Sequence, residues 1–384
     1  MSIERLDLDH DRSLIGLADG RASIATPALV IDLDRVEANL AFMADFAAVH
    51  GVKLRPHAKT HKSIALAMRQ RALGAIGISV ARIGEAEALA EGGVDNILIT
   101  APVISAQAID RVAVLSMRSG GTKIVVDHID GARCLNDCAQ ASDQVIDVLI
   151  DLDVGLHRTG ILPDQRALDL ADQIGRMPHL NLVGVQAYAG HLMHVSNAAE
   201  RKAKLLAALA PVQALILELK NRGHKIDIIT GGGTGSFQID VEMGLFSELQ
   251  TGSYLFMDVD YLAIDPGDQT AWPLQPALFV QSTVISANAP GMVTLDAGLK
   301  AFATDGPMPR IFEGADPNLR YRFMGDEQGA LMGDAGQALP KLGDVVSLTI
   351  PHCDPTVNLY DFYHVVRGHT LIDLWPVEGR GRGR

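Results

Sequence analysis

The chain has few cysteines, only Cys134, Cys138 and Cys353 in 384 residues. An odd, scattered set without framework spacing argues against a disulfide scaffold and suits a reducing compartment. Positive charge is also short, with a formal net charge of −13. That argues against nucleic acid and anionic membranes as partners. It leaves room for a small acidic substrate, which needs only local positive charge. No apolar run reaches membrane-spanning length. Residues 1–12 are acidic and lack an apolar core, so no signal peptide is expected there. Internal repeats are missing too, and the only low-complexity stretch is the Gly/Arg tail at 380–384, which is expected to fray. These absences point to a cytoplasmic protein.

What is present is material for a large core: 48% of residues are hydrophobic and 21% charged. The length suits two domains or one barrel with an addition. TPALVIDL (26–33) reads as a buried strand. Residues 34–50 place Val36, Leu40, Met43 and Ala47 on one helical face. Further strands are expected at 53–56, 75–80, 96–100, 123–127, 145–153, 180–188, 226–230 and 252–257. Segments rich in Ala, Leu, Glu and Arg, such as 84–91 and 106–117, separate them. Such alternation means a parallel sheet, either a (β/α)₈ TIM barrel or a doubly wound open sheet.

The count is nine strands where a barrel takes eight. If the barrel begins at 53 and closes with 252–257, the early strand must join another sheet. Beyond 263 the texture changes. Pro266, Gly267, Pro273 and Pro276 break the rhythm, and strands at 277–285, 292–295, 344–350, 363–366 and 370–374 make a second, all-β domain.

In a barrel the working residues lie at the C-terminal ends of strands and in the loops that follow. Here those ends are polar. Lys59 follows 53–56, between His57 and His61. DVGLHRTG (153–160) follows the fifth barrel strand, QAYAGHLMH (186–194) the sixth and TGGGTGS (230–236) the seventh. In the last, glycines would let backbone N–H groups approach an anion while Thr234 and Ser236 add hydroxyl donors. The plainer reading is a tight turn needing positive φ. A phosphate cradle and a lysine on one barrel mouth suggest pyridoxal phosphate, whose aldehyde takes a lysine imine. For Lys59 the plainer reading is a solvated loop lysine. His352-Cys353-Asp354 follows 344–350. If that chain stays extended, His352 and Asp354 point the same way. An imidazole with a carboxylate suits Zn²⁺, Mn²⁺ or Mg²⁺ with water completing the shell, although a surface pair would look the same.

On TPALVIDLDRVEANL (26–40), RPHAKTHK (55–62), DVGLHRTG, GVQAYAGH (184–191), TGGGTGS, ELQTGSYLFMD (248–258), DAGLKA (296–301) and HCDPTVN (352–358), the chain resembles the D-threonine aldolase and D-serine dehydratase group of fold-type III pyridoxal phosphate enzymes, relatives of alanine racemase. The resemblance implies a barrel over 34–262. It also implies a β-strand domain from 1–33 with 263–384, in which the opening strand packs. Lys59 would carry the cofactor, and Arg158 would contact its phenolic oxygen. Gly232, Gly233, Thr234 and Tyr254 would hold the phosphate, with Thr230, Gly252 and Ser253 in the same pocket. Tyr188 would lie close by, and Gln250 would stand where alanine racemases carry an arginine beside the pyridine nitrogen.

His352 and Asp354 would be the metal pair. His-x-Asp is the aldolase form, where dehydratases carry His-x-Cys. His194 aligns with the aldolase histidine near the substrate hydroxyl, and His191 matches the dehydratase version of that loop. Two departures bear on substrate choice: Glu327-Gln328-Gly329 in place of Glu-His-Gly, and Ser79-Val-Ala-Arg82 in place of a Cys-rich stretch. The activity implied is metal-dependent cleavage of D-3-hydroxy amino acids to glycine and an aldehyde, in a homodimer. The alternatives are a D-serine or D-3-hydroxyaspartate dehydratase, a racemase, and a non-catalytic pyridoxal phosphate-binding protein.

Overall fold

A computed structural model describes residues 6–267 and 269–383. Residues 1–5 of the acidic leader and Arg384 of the basic tail lie outside the described residues. The fold has two compact units. One is built on 43–252, the other on the chain up to 42 together with 253–263 and 272–380.

The strands in chain order begin with β1 (Ala28–Asp32). Eight short parallel strands follow: β2 (Lys53–Leu54), β3 (Ile78–Val80), β4 (Ile97–Ile99), β5 (Lys123–Val126), β6 (Ile146–Leu152), β7 (Leu180–Ala187), β8 (Ile228–Gly231) and β9 (Glu248–Leu249). They form one sheet in the order β2-β9-β8-β7-β6-β5-β4-β3. A parallel bridge from His57 to Ser79 joins the two ends. The Ile76 N–H donates to Leu54 O at 2.8 Å and the Ser79 N–H to Pro56 O at 2.8 Å. The ring therefore closes, which excludes an open doubly wound sheet.

Most of these strands are apolar and buried along their length, as strands covered on both faces must be. Leu98, Val125 and Leu149 from three neighbours pack as one buried cluster. Helices connect them, including Ile83–Glu91, Ala106–Arg118 and the long Ala198–Asn221. The starts of Gln165–Ile174 and Ala198–Asn221 are held by side chains that satisfy the first free N–H groups. Asp164 accepts from Arg166 N, and Asn197 accepts from Glu200 N at 2.9 Å.

The closing strand differs from expectation. It is Glu248–Leu249, and 253–255 is a 3₁₀ turn instead of part of a strand. The Met257 N–H reaches back to Ser253 O at 2.8 Å, and Met257 itself has φ of 46°, so the chain there coils. An apolar run was read as extended when local hydrogen bonds fold it.

In the second unit the remaining strands are β10 (Leu278–Ser286), β11 (Met292–Leu295), β12 (Arg310–Glu313), β13 (Arg320–Phe323), β14 (Gly329–Met332), β15 (Val345–Thr349), β16 (Phe362–Arg367) and β17 (Thr370–Pro376). β1 pairs antiparallel with β10 and parallel with β16, so the ninth strand belongs to this sheet. Asp296 ties its entry in place, accepting from Thr26 Oγ1 at 2.5 Å and Ser282 Oγ at 2.6 Å. β12, β13 and β14 were not anticipated. All three are four-residue pieces; β12 and β13 carry Arg310, Arg320 and Arg322 on outward positions, which masks the pattern, and β14 is a short buried GALM stretch. Arg380, expected to fray, is anchored by an ion pair with Asp361 and a 3.2 Å bond to Asn358 O. All three cysteines are free thiols. Among the described residues no helix is long and apolar enough to cross a membrane.

Candidate active site

Lys59 lies in the 3₁₀ turn Ala58–Thr60 just after β2, with its side chain half-buried. Both flanking histidines are buried and engaged in holding this turn. Thr100 Oγ1 donates to Val80 O at 3.0 Å, so His57 Nε2 must be the donor in its 3.1 Å contact with that hydroxyl. His57 Nδ1 then accepts from the Lys59 N–H at 3.3 Å. His61 has the same pattern, with Nε2 toward Gln70 Oε1 and Nδ1 accepting from the Ser63 N–H. Each bonds as a neutral imidazole and adds no charge beside Lys59. Lys62 is bound by Glu85, which also caps the next helix from Ala81 N and Arg82 N.

The loop after β6 is organised by Asp153, whose Oδ1 accepts from Gly155 N at 2.9 Å and His157 N at 3.0 Å. Partial burial would raise its pKa, but these bonds and the His157 imidazole hold it below the usual range. The loop presents Arg158 to Tyr188 at the end of β7. The Arg158 guanidinium lies 5.9 Å from the Tyr188 ring centroid, and Lys59 Nζ lies 6.0 Å from it. One aromatic ring thus brings together the two cations that the sequence singled out.

Tyr188 also borders the glycine loop, since a Cβ on Gly233 would stand 3.6 Å from its Cε2. Each glycine of that loop has a packing reason. A Cβ would meet Ala187 O at Gly231, Asp240 Oδ2 at Gly232, Met193 Sδ at Gly233 and Met193 O at Gly235, all within 2.6 Å. Close approach alone therefore accounts for the glycines. Ser236 does not act as an outward hydroxyl: its Oγ is buried and donates to Asp240 Oδ2 at 2.6 Å. Thr234 is buried in the same loop.

Thr230 Oγ1 accepts from Gln250 Nε2 at 3.0 Å. Gly252 backs onto the lysine turn, where a Cβ would come 2.7 Å from Thr60 Oγ1. The buried hydroxyls of Thr60 and Thr251 make no hydrogen bond among the described residues. Unsatisfied polar atoms are what a bound polar group relieves, and beside a half-buried lysine they fit a phosphorylated aldehyde cofactor. His191 is exposed and sits 3.4 Å from the Cβ position of Gly155; His194 is exposed three residues on.

In the other unit Ser253 and Tyr254 are buried in their 3₁₀ turn. His352 and Asp354 are not on an extended chain. A short helix, Cys353–Val357, starts immediately after His352, because Asp258 Oδ2 accepts the Cys353 N–H at 2.9 Å and seeds the turn. Burial pushes the Cys353 thiol well up, leaving it inert. His352 Nδ1 contacts Asp305 Oδ2 at 2.9 Å, which directs Nε2 elsewhere. A carboxylate on the far nitrogen is the usual outer support of a metal-binding imidazole. Among the described residues no group of three or more His, Cys, Asp or Glu side chains could hold a metal. Two such ligands would leave the rest of a divalent ion's shell to water.

Sequence reasoning missed Asp151, Gln186, Asp240 and Asp305. The first two are inward polar residues within otherwise apolar strands, a signal that two-residue alternation could have found.

The alanine racemase N-terminal domain family matches residues 31–260, and a putative serine dehydratase domain matches 277–366. A D-threonine aldolase from Arthrobacter sp. is 40% identical over 370 residues, 95% of each chain. A 3-hydroxy-D-aspartate aldolase from Paracoccus denitrificans (strain Pd 1222) is 35% identical over 94% of each. The crystal structure of D-threonine aldolase from Filomicrobium marinum superposes with a TM-score of 0.89 at 38% identity, covering 94% of this chain and 96% of that one. Dehydratases match at lower identity. The closed parallel barrel, the lysine at its mouth and these matches agree: the chain belongs to the alanine racemase-like family, in the group that joins an alanine racemase N-terminal domain to a C-terminal serine dehydratase domain.

Proposed function

We propose that this protein is a pyridoxal phosphate- and divalent-metal-dependent lyase that cleaves D-3-hydroxy amino acids, such as D-threonine, to glycine and an aldehyde. The observation that carries this reading is the meeting of Lys59 and Arg158 over the Tyr188 ring, in a chain aligned with two aldolases along nearly its whole length. When bound, the cofactor supplies an aldehyde for amine capture and a ring that takes up the electrons of a breaking bond at Cα. Lys59 would hold that aldehyde, and afterwards return a proton to Cα. Arg158 and Tyr188 would fix the ring. Thr230, Gly232, Gly233, Thr234, Gly252, Ser253 and Tyr254 would receive the phosphate, and Gln250 the ring nitrogen.

His352 and Asp354 would hold Mn²⁺, Mg²⁺ or Zn²⁺, which lowers the pKa of a hydroxyl it binds. His194 would take the proton from the substrate's 3-hydroxyl, with His191 as the other candidate base. In the same reading, 34–262 form the cofactor barrel and 1–33 with 263–384 the metal-carrying β domain. The enzyme works as a homodimer in the cytoplasm, where its three thiols stay reduced.

The test is removal and return. Protein stripped of cofactor and metal should regain D-threonine cleavage only when both pyridoxal phosphate and Mn²⁺ are restored. Full cleavage in EDTA would remove the metal from the account, and conversion to the L-epimer without glycine would favour racemisation. Failure to bind pyridoxal phosphate would end it.

A further inference from the structure

Under the Lys59–Tyr188–Arg158 cluster, the inner face of the barrel carries a directional chain of amides. Gln186 Nε2 donates to Asp151 Oδ1 at 2.8 Å and to Thr100 O at 3.0 Å. Gln250 Nε2 donates to Gln186 Oε1 at 3.1 Å and to Thr230 Oγ1 at 3.0 Å. Asp151, Gln186 and Gln250 are all buried. The sense of this chain follows from its far end. An ionised carboxylate and a backbone carbonyl only accept, so Gln186 must turn its NH₂ toward Asp151 and Thr100 O and its oxygen toward Gln250. Gln250 must then turn its own NH₂ inward. With both amide hydrogens used, the Gln250 amide has only its carbonyl oxygen left to offer.

We propose that Asp151 is a positioning residue that sets the hydrogen-bonding sense of the Gln186–Gln250 amides, so that Gln250 presents an acceptor and selects a protonated ring nitrogen in the bound cofactor. This rests on the proposed function, in which Gln250 faces that nitrogen. The consequence is chemical. A neutral glutamine in the inward sense acts on the ring as an acceptor, favouring the protonated, stronger electron sink. In the reverse sense it would offer an N–H and favour the unprotonated ring.

Asp151 is suited to act as a switchable anchor. Burial pushes its pKa up to about 6, against hydrogen bonds from Gln186 and Thr159 that hold it down. Asp127 faces it and raises it further, while Arg158 lowers it. Thr159 Oγ1 donates to Oδ2 at 2.7 Å, so both carboxylate oxygens are engaged. Once protonated, the carboxyl can donate to Gln186 Oε1, which leaves Thr100 O alone to hold the inward sense and weakens it.

The test uses holoenzyme loaded with pyridoxal phosphate isotope-labelled at the ring nitrogen and read by NMR. Above the Asp151 titration the wild-type resonance should sit at the protonated position. In Asp151→Asn and in Gln186→Leu it should move toward the unprotonated position while the visible absorbance of the lysine-bound cofactor persists. Adding Gln250→Glu to the Asp151→Asn variant restores an obligate acceptor and should return the resonance. In the wild type, lowering the pH through about 6 should move the resonance toward the unprotonated position, opposite to the effect of acid alone. This needs no variant to fold. A resonance unmoved by the variants that keep the cofactor, or a wild-type profile without that inflection, overturns the inference and leaves the proposed function standing. Absence of any Lys59-dependent absorbance overturns both.

Discussion

Lys59 is a solvated loop lysine or a reactive amine depending on what surrounds it, and its two flanking histidines add no charge. With His57 and His61 both bonded as uncharged imidazoles, Lys59 shares the Tyr188 ring with the Arg158 guanidinium. The account expects Lys59→Ala to abolish the visible absorbance of reconstituted protein, with Lys59→Arg giving no recovery. A purified wild-type protein lacking that absorbance would contradict it. At His352 the contact from Asp305 gives a second expectation. Asp305→Asn should weaken Mn²⁺ affinity by about 10- to 100-fold, in line with the loss of outer support at metal-bound histidines. Unchanged Mn²⁺ titration would mean that the contact is incidental. Lys59, Arg158 and Tyr188 were legible in the sequence because they stand at strand ends inside recognisable motifs. Asp305 was not, since it lies 47 positions from His352 in a stretch without periodicity.

Among the elements, the glycine loop shows that one residue pattern can have two causes. Four glycines and two hydroxyls read as a cradle, yet each glycine is required by a neighbour's backbone or side chain, and Ser236 faces inward to Asp240. Asp240 is fully buried, and its Oδ1 makes no hydrogen bond among the described residues. Burial raises its pKa from 3.8 to about 7, against the Ser236 and Gly233 contacts that lower it. A carboxyl whose folded pKa is raised stabilises the protein at low pH. That contribution is fully present below the unfolded value of 3.8 and is lost as the pH rises to about 7. The shift corresponds to at most about 4 kcal/mol. Asp240→Asn should therefore be more stable than wild type above pH 7, and urea unfolding should show a flatter pH profile for the variant. Equal profiles would show that Asp240 has the same pKa folded and unfolded, so that burial does not raise it. The closing strand illustrates the same limit of pattern. Residues 252–257 have strand composition, but the Ser253 carbonyl accepts from both Phe256 N and Met257 N and winds them into a turn.

On the scale of the whole molecule, the alternation of apolar strands and helices predicted a parallel sheet, and the resemblance to a family selected the barrel over an open sheet. The ninth strand could be placed only through long-range pairing with β10 and β16, which no local signal carries. The barrel's other end is closed by a buried ion pair that the sequence did not advertise. Arg55 Nε and NH2 meet Glu248 Oε1 and Oε2 at 2.7 and 3.0 Å, joining β2 to β9 across the seam. Glu248→Gln should cost about 3–5 kcal/mol, because it strands a buried guanidinium. The double change Arg55→Met with Glu248→Met should cost far less. If the two variants unfold alike in urea, packing and not charge pairing holds the seam.

The central claim is the bond that breaks. Incubating reconstituted enzyme and Mn²⁺ with D-threonine, and measuring all four products in one sample, tests it most directly. The account predicts glycine and acetaldehyde in equal amounts, without keto acid or ammonia. Keto acid and ammonia without glycine would contradict it and make the protein a dehydratase on the same fold.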